Sequence, residues 1–162
     1  MTINTQNISI LIVDDSPAQL ELMQQILKDT QFQIHMVTSG IKAFEFLKNN
    51  QVDLIILDIV MPDMNGYDVC LKLQSDFKTK DIPVIFLSSL SNTNEVVRGL
   101  TFGGVDFIIK PLRPQEFVER VKVHVRLKKE KDAVRVQLEE LRKANRLLMG
   151  TMHQMAQILD NQ

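Results

Sequence analysis

The stretch ILIVDDSPAQ, residues 10–19, runs four apolar residues directly into two adjacent aspartates, then into Ser16 and Pro17. An Ile/Leu/Val run this short reads as a buried strand. Ser16 with proline behind it reads as a helix N-cap followed by proline at the first helical position. Strand, acidic pair and helix start therefore follow one another within ten residues. Adjacent carboxylates repel, and removing them from water is costly. Some partner must offset that cost.

Outward from this stretch the pattern repeats. Apolar runs at Ile8–Val13, Phe32–Val37, Leu54–Leu57, Val84–Leu87 and Val105–Ile109 predict five strands, several buried on both faces. Between them, residues 17–29, 40–48, 66–75 and 93–102 carry apolar side chains at helical spacing, and a last helix starts near Pro114. Ser39 and the Arg113-Pro114 pair mark further helix starts. Five βα units predict a parallel sheet covered by helices on both faces, with right-handed crossovers. No repeat beyond this alternation and no low-complexity stretch is present.

Composition narrows the function classes. The 162 residues suffice for one domain plus an extension, and 19 basic against 20 acidic side chains give no general attraction to nucleic acid or anionic lipid. No apolar run approaches the roughly 20 residues that span a bilayer. The N-terminal MTINTQNIS carries neither a basic region nor an apolar signal core, so a cytoplasmic location is expected. Cys70 is the single cysteine, set in the helical pattern YDVCLKL, and reads as a small buried residue.

In a parallel sheet all strand C-termini lie along one edge, where ligands bind. Asp14 and Asp15 follow the first strand, Asp58 the third, Ser88 and Ser89 the fourth, and Lys110 the fifth. Singly, each has an ordinary reading as a cap, a loop hydroxyl or a turn lysine. Together they suit phosphoryl transfer. Carboxylates hold Mg²⁺, which uses one or two of them plus phosphate. Lysine offers a point charge for phosphate, a hydroxyl can donate to a phosphoryl oxygen, and an aspartate can act as nucleophile. A divalent cation is the expected offset for the acidic pair.

With ILIVDDS, LIILDIVMPDMNGYDVC, IPVIFLSSL and GGVDFIIKP in this order, residues 8–125 resemble a receiver domain of the two-component response regulator family. The resemblance implies an α/β flavodoxin-like fold with strand order 2-1-3-4-5. It makes Asp58 the phosphoacceptor. It makes Asp14, Asp15 and Asp58, with the Val60 backbone carbonyl, the Mg²⁺ ligands, Asp15 being the more direct of the acidic pair. Ser88 becomes the switch hydroxyl, Phe107 the switch aromatic and Lys110 the phosphoryl contact, followed by a cis bond to Pro111. Ser88 stands where Thr is common, Ser89 where Ala is, and Phe107 where Tyr is. Phe107 also reads as a plain core aromatic. Apolar Val60 and Leu90 cannot orient a hydrolytic water, which implies a slowly hydrolysing acyl phosphate. The implied donor is a sensor histidine kinase or a histidine phosphotransfer protein.

Residues 1–7 read as a tail, 8–125 as the receiver and 126–162 as a helical extension continuous with its last helix. Leu127, Val134, Leu141, Leu148 and Met155 recur every seven residues as d positions. Lys131, Leu138, Asn145, Met152 and Leu159 are then the a positions. This predicts a parallel homodimeric coiled coil, in which Asn145 fixes register and Glu130 can pair with Arg135 of the other chain. The plainer reading is a lone amphipathic helix folded back on its own domain. The basic run at Arg126, Lys128, Lys129 and Lys131 is interrupted by Glu130 and Asp132 and reads as a solvated face. His153 lacks a following acidic residue and an ATP-binding domain, so a kinase helix is not favoured. No helix-turn-helix follows, so direct nucleic-acid binding is not expected. QILDNQ ends mid-heptad without a helix stop, which favours an alternative: the regulatory N-terminus of a longer protein with an enzymatic output domain such as a cyclase, phosphodiesterase, phosphatase or kinase.

Overall fold

The structure is a computed structural model and describes residues 7–89 and 93–161. The elements are β1 (Ser9–Val13), α1 (Pro17–Leu27), β2 (Gln33–Val37), α2 (Gly40–Leu47), β3 (Leu54–Asp58), α3 (Gly66–Ser75), β4 (Val84–Ser88), α4 (Thr93–Thr101), β5 (Asp106–Ile109) and α5 (Pro114–Asp160). All strand pairs are parallel, in the order β2-β1-β3-β4-β5. This is the expected flavodoxin-like fold, with boundaries within one or two residues of the sequence reading.

Strand side chains alternate between two faces. Leu11, Val13, Ile55, Leu57, Val84, Phe86 and Phe107 pack with α2 and α3 residues, including Ala43, Leu47, Val69, Cys70 and Leu73. Ile10, Ile12, Leu54, Ile56, Ile85, Leu87 and Ile108 pack on the other face with α1 and α5, through Leu20, Met23, Leu27, Phe117, Val121 and Val125. Every residue of β3 and β4 is buried, because both strands are central and covered twice. The edge strand β2 has no fully buried residue.

Helix starts follow local chemistry. Ser16 Oγ accepts from the Gln19 N–H (3.4 Å), Ser39 Oγ from the Lys42 N–H (3.1 Å) and Asn65 Oδ1 from the Asp68 N–H (2.9 Å). The first helix stops earlier than its apolar spacing predicts, at Leu27, and residues 28–30 form a 3-10 turn. There the Thr30 hydroxyl donates to the Leu27 carbonyl at 2.6 Å, and Gln31 takes a left-handed φ of 64°. Both divert the chain from α-helix.

The chain divides into two units, residues 1–128 and 129–162. Within the first, α5 buries Phe117, Val121 and Val125 at a four-residue spacing. In the second unit every described residue beyond Asp132 is exposed. No helix among the described residues is long and apolar enough to cross a membrane.

Candidate functional site

The chain order reverses between β1 and β3, which opens a crevice at their C-terminal ends. Asp14 and Asp15 extend from β1 and Asp58 ends β3, so the three carboxylates each place an oxygen within 4.8 Å of the others. Asp14 and Asp58 are buried, whereas Asp15 faces water. The buried acids are held by protein partners. Asp14 Oδ1 accepts the Ser16 N–H at 2.9 Å. Lys110 Nζ lies 3.1 Å from Asp14 Oδ2 and 3.5 Å from Asp58 Oδ2.

Lys110 reaches this position from the end of β5. Its N–H donates to the Ser88 carbonyl at 2.7 Å, and the Lys110–Pro111 peptide is cis, as the resemblance implies. Ser88 is fully buried at the end of β4, and Ser89 beside it is exposed. Burial pushes the Asp58 carboxyl above its ordinary value; Lys110 pulls it down, the Asp14 charge adds to the rise, and a Val60 backbone N–H lowers it again. Val60 itself is 63% exposed at the mouth of the crevice. Leu90 lies outside the described residues.

Phe107 is buried, and its ring lies against α4 where Gly99 leaves space: a Cβ on Gly99 would sit 2.9 Å from Phe107 Cδ2. Both sequence readings of Phe107, core aromatic and switch aromatic, fit that position. The predicted seam residues lie apart from the acidic cluster in sequence. Leu127 is half exposed on the first unit. Within the second unit Val134, Leu138, Leu141, Leu148, Met152, Met155 and Leu159 are 44–71% exposed, and Asn145 is exposed with them. Arg135, expected to pair between chains, bonds Asp132 of its own helix at 3.1 Å.

Three features had no sequence signal. A Cβ on Gly66 would come within 2.5 Å of the Asp58 carbonyl oxygen, so only glycine lets α3 start against the acceptor strand. The Tyr67 hydroxyl donates to Glu95 Oε2 at 2.8 Å and so ties α3 to α4, while the Arg98 guanidinium stacks 5.0 Å from the Tyr67 ring centre. Asp106 binds Arg120 Nη1 (2.7 Å) and His124 Nε2 (3.0 Å), fixing β5 to α5. Gly66, Tyr67 and Asp106 all lie inside the motifs of the sequence reading, but the partners of Tyr67 and Asp106 are 14 to 28 residues away along the chain.

Chemically, the crevice pairs one buried carboxylate with a second buried acid, an exposed acid and a lysine, all oxygen and ammonium groups. That set suits a hard cation and a phosphoryl group and, among the described residues, includes no thiolate or imidazole for softer metals. The family model for the response regulator receiver domain matches residues 10–122. A protein described as "Probable cyclic di-GMP phosphodiesterase" from Vibrio cholerae is 40% identical over 124 residues, covering 76% of this chain and 28% of that protein. The DNA-binding response regulator MtrA of Mycolicibacterium smegmatis is 33% identical over 130 residues, covering 80% of this chain and 56% of MtrA. This chain thus spans about a quarter to a half of the length of these curated relatives. Among solved structures, the receiver domain of a signal transduction histidine kinase from Syntrophus aciditrophicus superposes with a TM-score of 0.67 at 42% identity, covering 72% of this chain and 89% of that one. The family match contains every strand end that contributes to the acidic cluster, and the chain belongs to the response regulator receiver domain family.

Proposed function

We propose that Asp58 accepts a phosphoryl group from a phosphohistidine on a sensor histidine kinase or a histidine phosphotransfer protein. The observation that carries this reading is the buried Asp58 carboxylate at the end of β3, within 4.8 Å of the Asp14 and Asp15 oxygens and 3.5 Å from Lys110 Nζ. An Asp58 oxygen attacks phosphorus, the N–P bond of the donor breaks, and its electron pair stays on the imidazole nitrogen, which takes up a proton. Lys110 supplies positive charge to the phosphoryl oxygens as they arrive, and Ser88 supplies a hydroxyl donor once the acyl phosphate has formed. Mg²⁺ held by Asp14, Asp15, Asp58 and the Val60 carbonyl would neutralise phosphoryl charge in the same crevice. The buried Phe107 ring then repacks behind Ser88, and the changed surface is the signal. On this reading the chain is a cytoplasmic signalling domain that catalyses only its own phosphorylation and dephosphorylation.

The output passes through the helical extension, with Leu127, Val134, Leu138, Leu141, Asn145, Leu148, Met152, Met155 and Leu159 forming the seam of a parallel homodimer. A second reading draws on the Vibrio cholerae relative, of which this chain covers 28%. There the receiver and helix are the regulatory front of a longer protein with an enzymatic output. The first test is phosphorylation by acetyl phosphate with Mg²⁺, read as a one-phosphoryl gain in intact mass. The gain is expected in the native chain and absent in Asp58→Asn; a gain that survives in Asp58→Asn refutes the assignment.

A further inference from the structure

The helical extension changes character at Arg146. Upstream, the e and g positions flanking the heptad seam are polar: Glu130, Arg135, Gln137 and Arg142. A helix apolar only at a and d, with charged flanks, suits a two-stranded seam. Downstream, residues 147–159 contain no Asp, Glu, Lys or Arg. Their flanks become largely apolar: Ile158 at g, Met149 and Ala156 at e, with Thr151 at the other g position and Leu147 at the adjoining c position. At 100° per residue the apolar arc from Leu147 round to Met149 spans roughly 200°. A two-stranded coil covers only the middle of such an arc. Leu147, Met149 and Ile158 fall outside its seam and are 61–74% exposed on the single helix.

Thr151 is the one polar side chain within the arc. Thr151 donates its hydroxyl to the Leu147 carbonyl at 3.0 Å, which satisfies it within the helix. His153 and Gln157 are bonded to each other at 3.1 Å on the opposite side, where Gly150 also lies. Three methionines, at 149, 152 and 155, give the arc side chains that adapt to a facing helix.

We propose that residues 147–159 are a four-helix contact, in which the partner of one paired extension is a second pair of the same chain. Charge favours a second copy. The segment has no carboxylate or cationic side chain to repel a copy of itself or to select a partner of opposite charge. Seven of the eight a, d, e and g positions in the segment are apolar, Thr151 being the exception, which is the pattern of a helix inside a bundle core, and a pair of identical pairs closes such a core by symmetry. The inference rests on the parallel-dimer reading of the seam.

Sedimentation equilibrium of the full chain, from micromolar to several hundred micromolar, tests it. The expected result is a two-chain species giving way to a four-chain species as concentration rises. The double substitution Met149→Glu and Ile158→Glu lies off the two-stranded seam and should weaken the four-chain step by at least about a hundredfold while leaving the pair. Met149→Gln with Ile158→Gln should act in the same direction without adding charge, and circular dichroism verifies that both variants keep their helix. A two-chain mass at every concentration overturns the four-helix contact, assigns the arc to a partner of different sequence and leaves the dimer standing. A one-chain mass throughout overturns both. A four-chain species unchanged in both variants overturns the assignment to this face.

Discussion

Removing one oxygen atom, by Tyr67→Phe, tests the tie between α3 and α4. The hydroxyl donates to Glu95 Oε2 at 2.8 Å, and Tyr67 is only 4% exposed. A hydrogen bond to a charged group contributes about 1.5–3 kcal/mol, and the half-buried Glu95 places this one near the lower end. Burial first, then Glu95, pushes the phenol up to about 12, with Arg98 opposing. Folding thus raises the pKa of an acid. The stability this contributes is complete below about pH 10, the unfolded value, and is lost as pH rises towards 12. At about pH 11 the unfolded chain gains roughly 1.4 kcal/mol from ionising this group and the folded chain almost none. In urea titrations the native protein should therefore exceed Tyr67→Phe by about 1.5 kcal/mol at neutral pH and roughly match it near pH 11. Other titrating groups cancel in the difference. The chain has one tyrosine and no tryptophan, so tyrosinate absorbance reports this residue alone. At about pH 10.5 the folded protein should show a few per cent tyrosinate and the urea-unfolded protein about three quarters. A folded protein already mostly ionised there, or a stability difference that does not shrink with pH, refutes the reasoning.

Lys110→Met should leave Asp14 and Asp58 facing each other without their shared cation. It is expected to cost about 2–4 kcal/mol in chelator, with part regained in millimolar Mg²⁺ by chemical denaturation, and to abolish phosphorylation by acetyl phosphate. Gly66→Ala must push backbone, because its Cβ would meet the Asp58 carbonyl at 2.5 Å and Ile59 Cα at 2.9 Å. A loss of about 3 kcal/mol or more in urea unfolding is expected, together with slower phosphorylation of Asp58. Cys70 is buried with its thiol pushed up to about 11, so a thiol-specific chromogenic reagent at pH 8 should react at the rate of global unfolding and at once in urea. The phosphoaspartate should outlast seconds in the isolated chain, since apolar Val60 at the crevice mouth cannot orient a water; decay within seconds, followed by intact mass, refutes this.

The strands were legible because each is a short Ile/Val/Leu/Phe run, and along β1, β3 and β4 successive side chains alternate between the two cores. The cluster was legible for a topological reason: parallel strands must end on one edge, so Asp14, Asp58, Ser88 and Lys110 had to converge wherever their loops went. What stayed hidden depends on partners far along the chain. Glu95 looks like any helix-surface glutamate until Tyr67 is brought beneath it, and Asp106 looks like a strand-edge acid until Arg120 and His124 arrive on α5. Gly99 carries no local turn signal and Gly104 reads only as a turn glycine, yet a Cβ on either would meet the Phe86 ring, at 3.3 and 2.6 Å. The early end of α1 turned on one Thr30 hydroxyl, a bond that apolar spacing does not encode. The heptads told which face of the extension is apolar, but a seam has two sides and the sequence of one helix supplies only one.

The paired aspartates now have a more specific account than a cation alone. The sequence reading expected a divalent ion to offset their repulsion. In the fold, three protein devices already do so. Asp15 stays in water, Asp14 takes the Ser16 N–H and the Lys110 ammonium, and Asp58 shares that ammonium and takes a Val60 N–H. The buried acids can therefore form without prior metal. With all three carboxylates ionised, three negative charges face one lysine, and the excess is two. That excess equals the charge of one Mg²⁺, and it persists because no second basic side chain is paired into the cluster among the described residues. Lys110 thus offsets part of the cluster's repulsion, and the charge it leaves uncancelled is what a divalent cation would neutralise. A second lysine beside Asp15 would halve that excess, so the affinity for Mg²⁺, measured by titration, should fall.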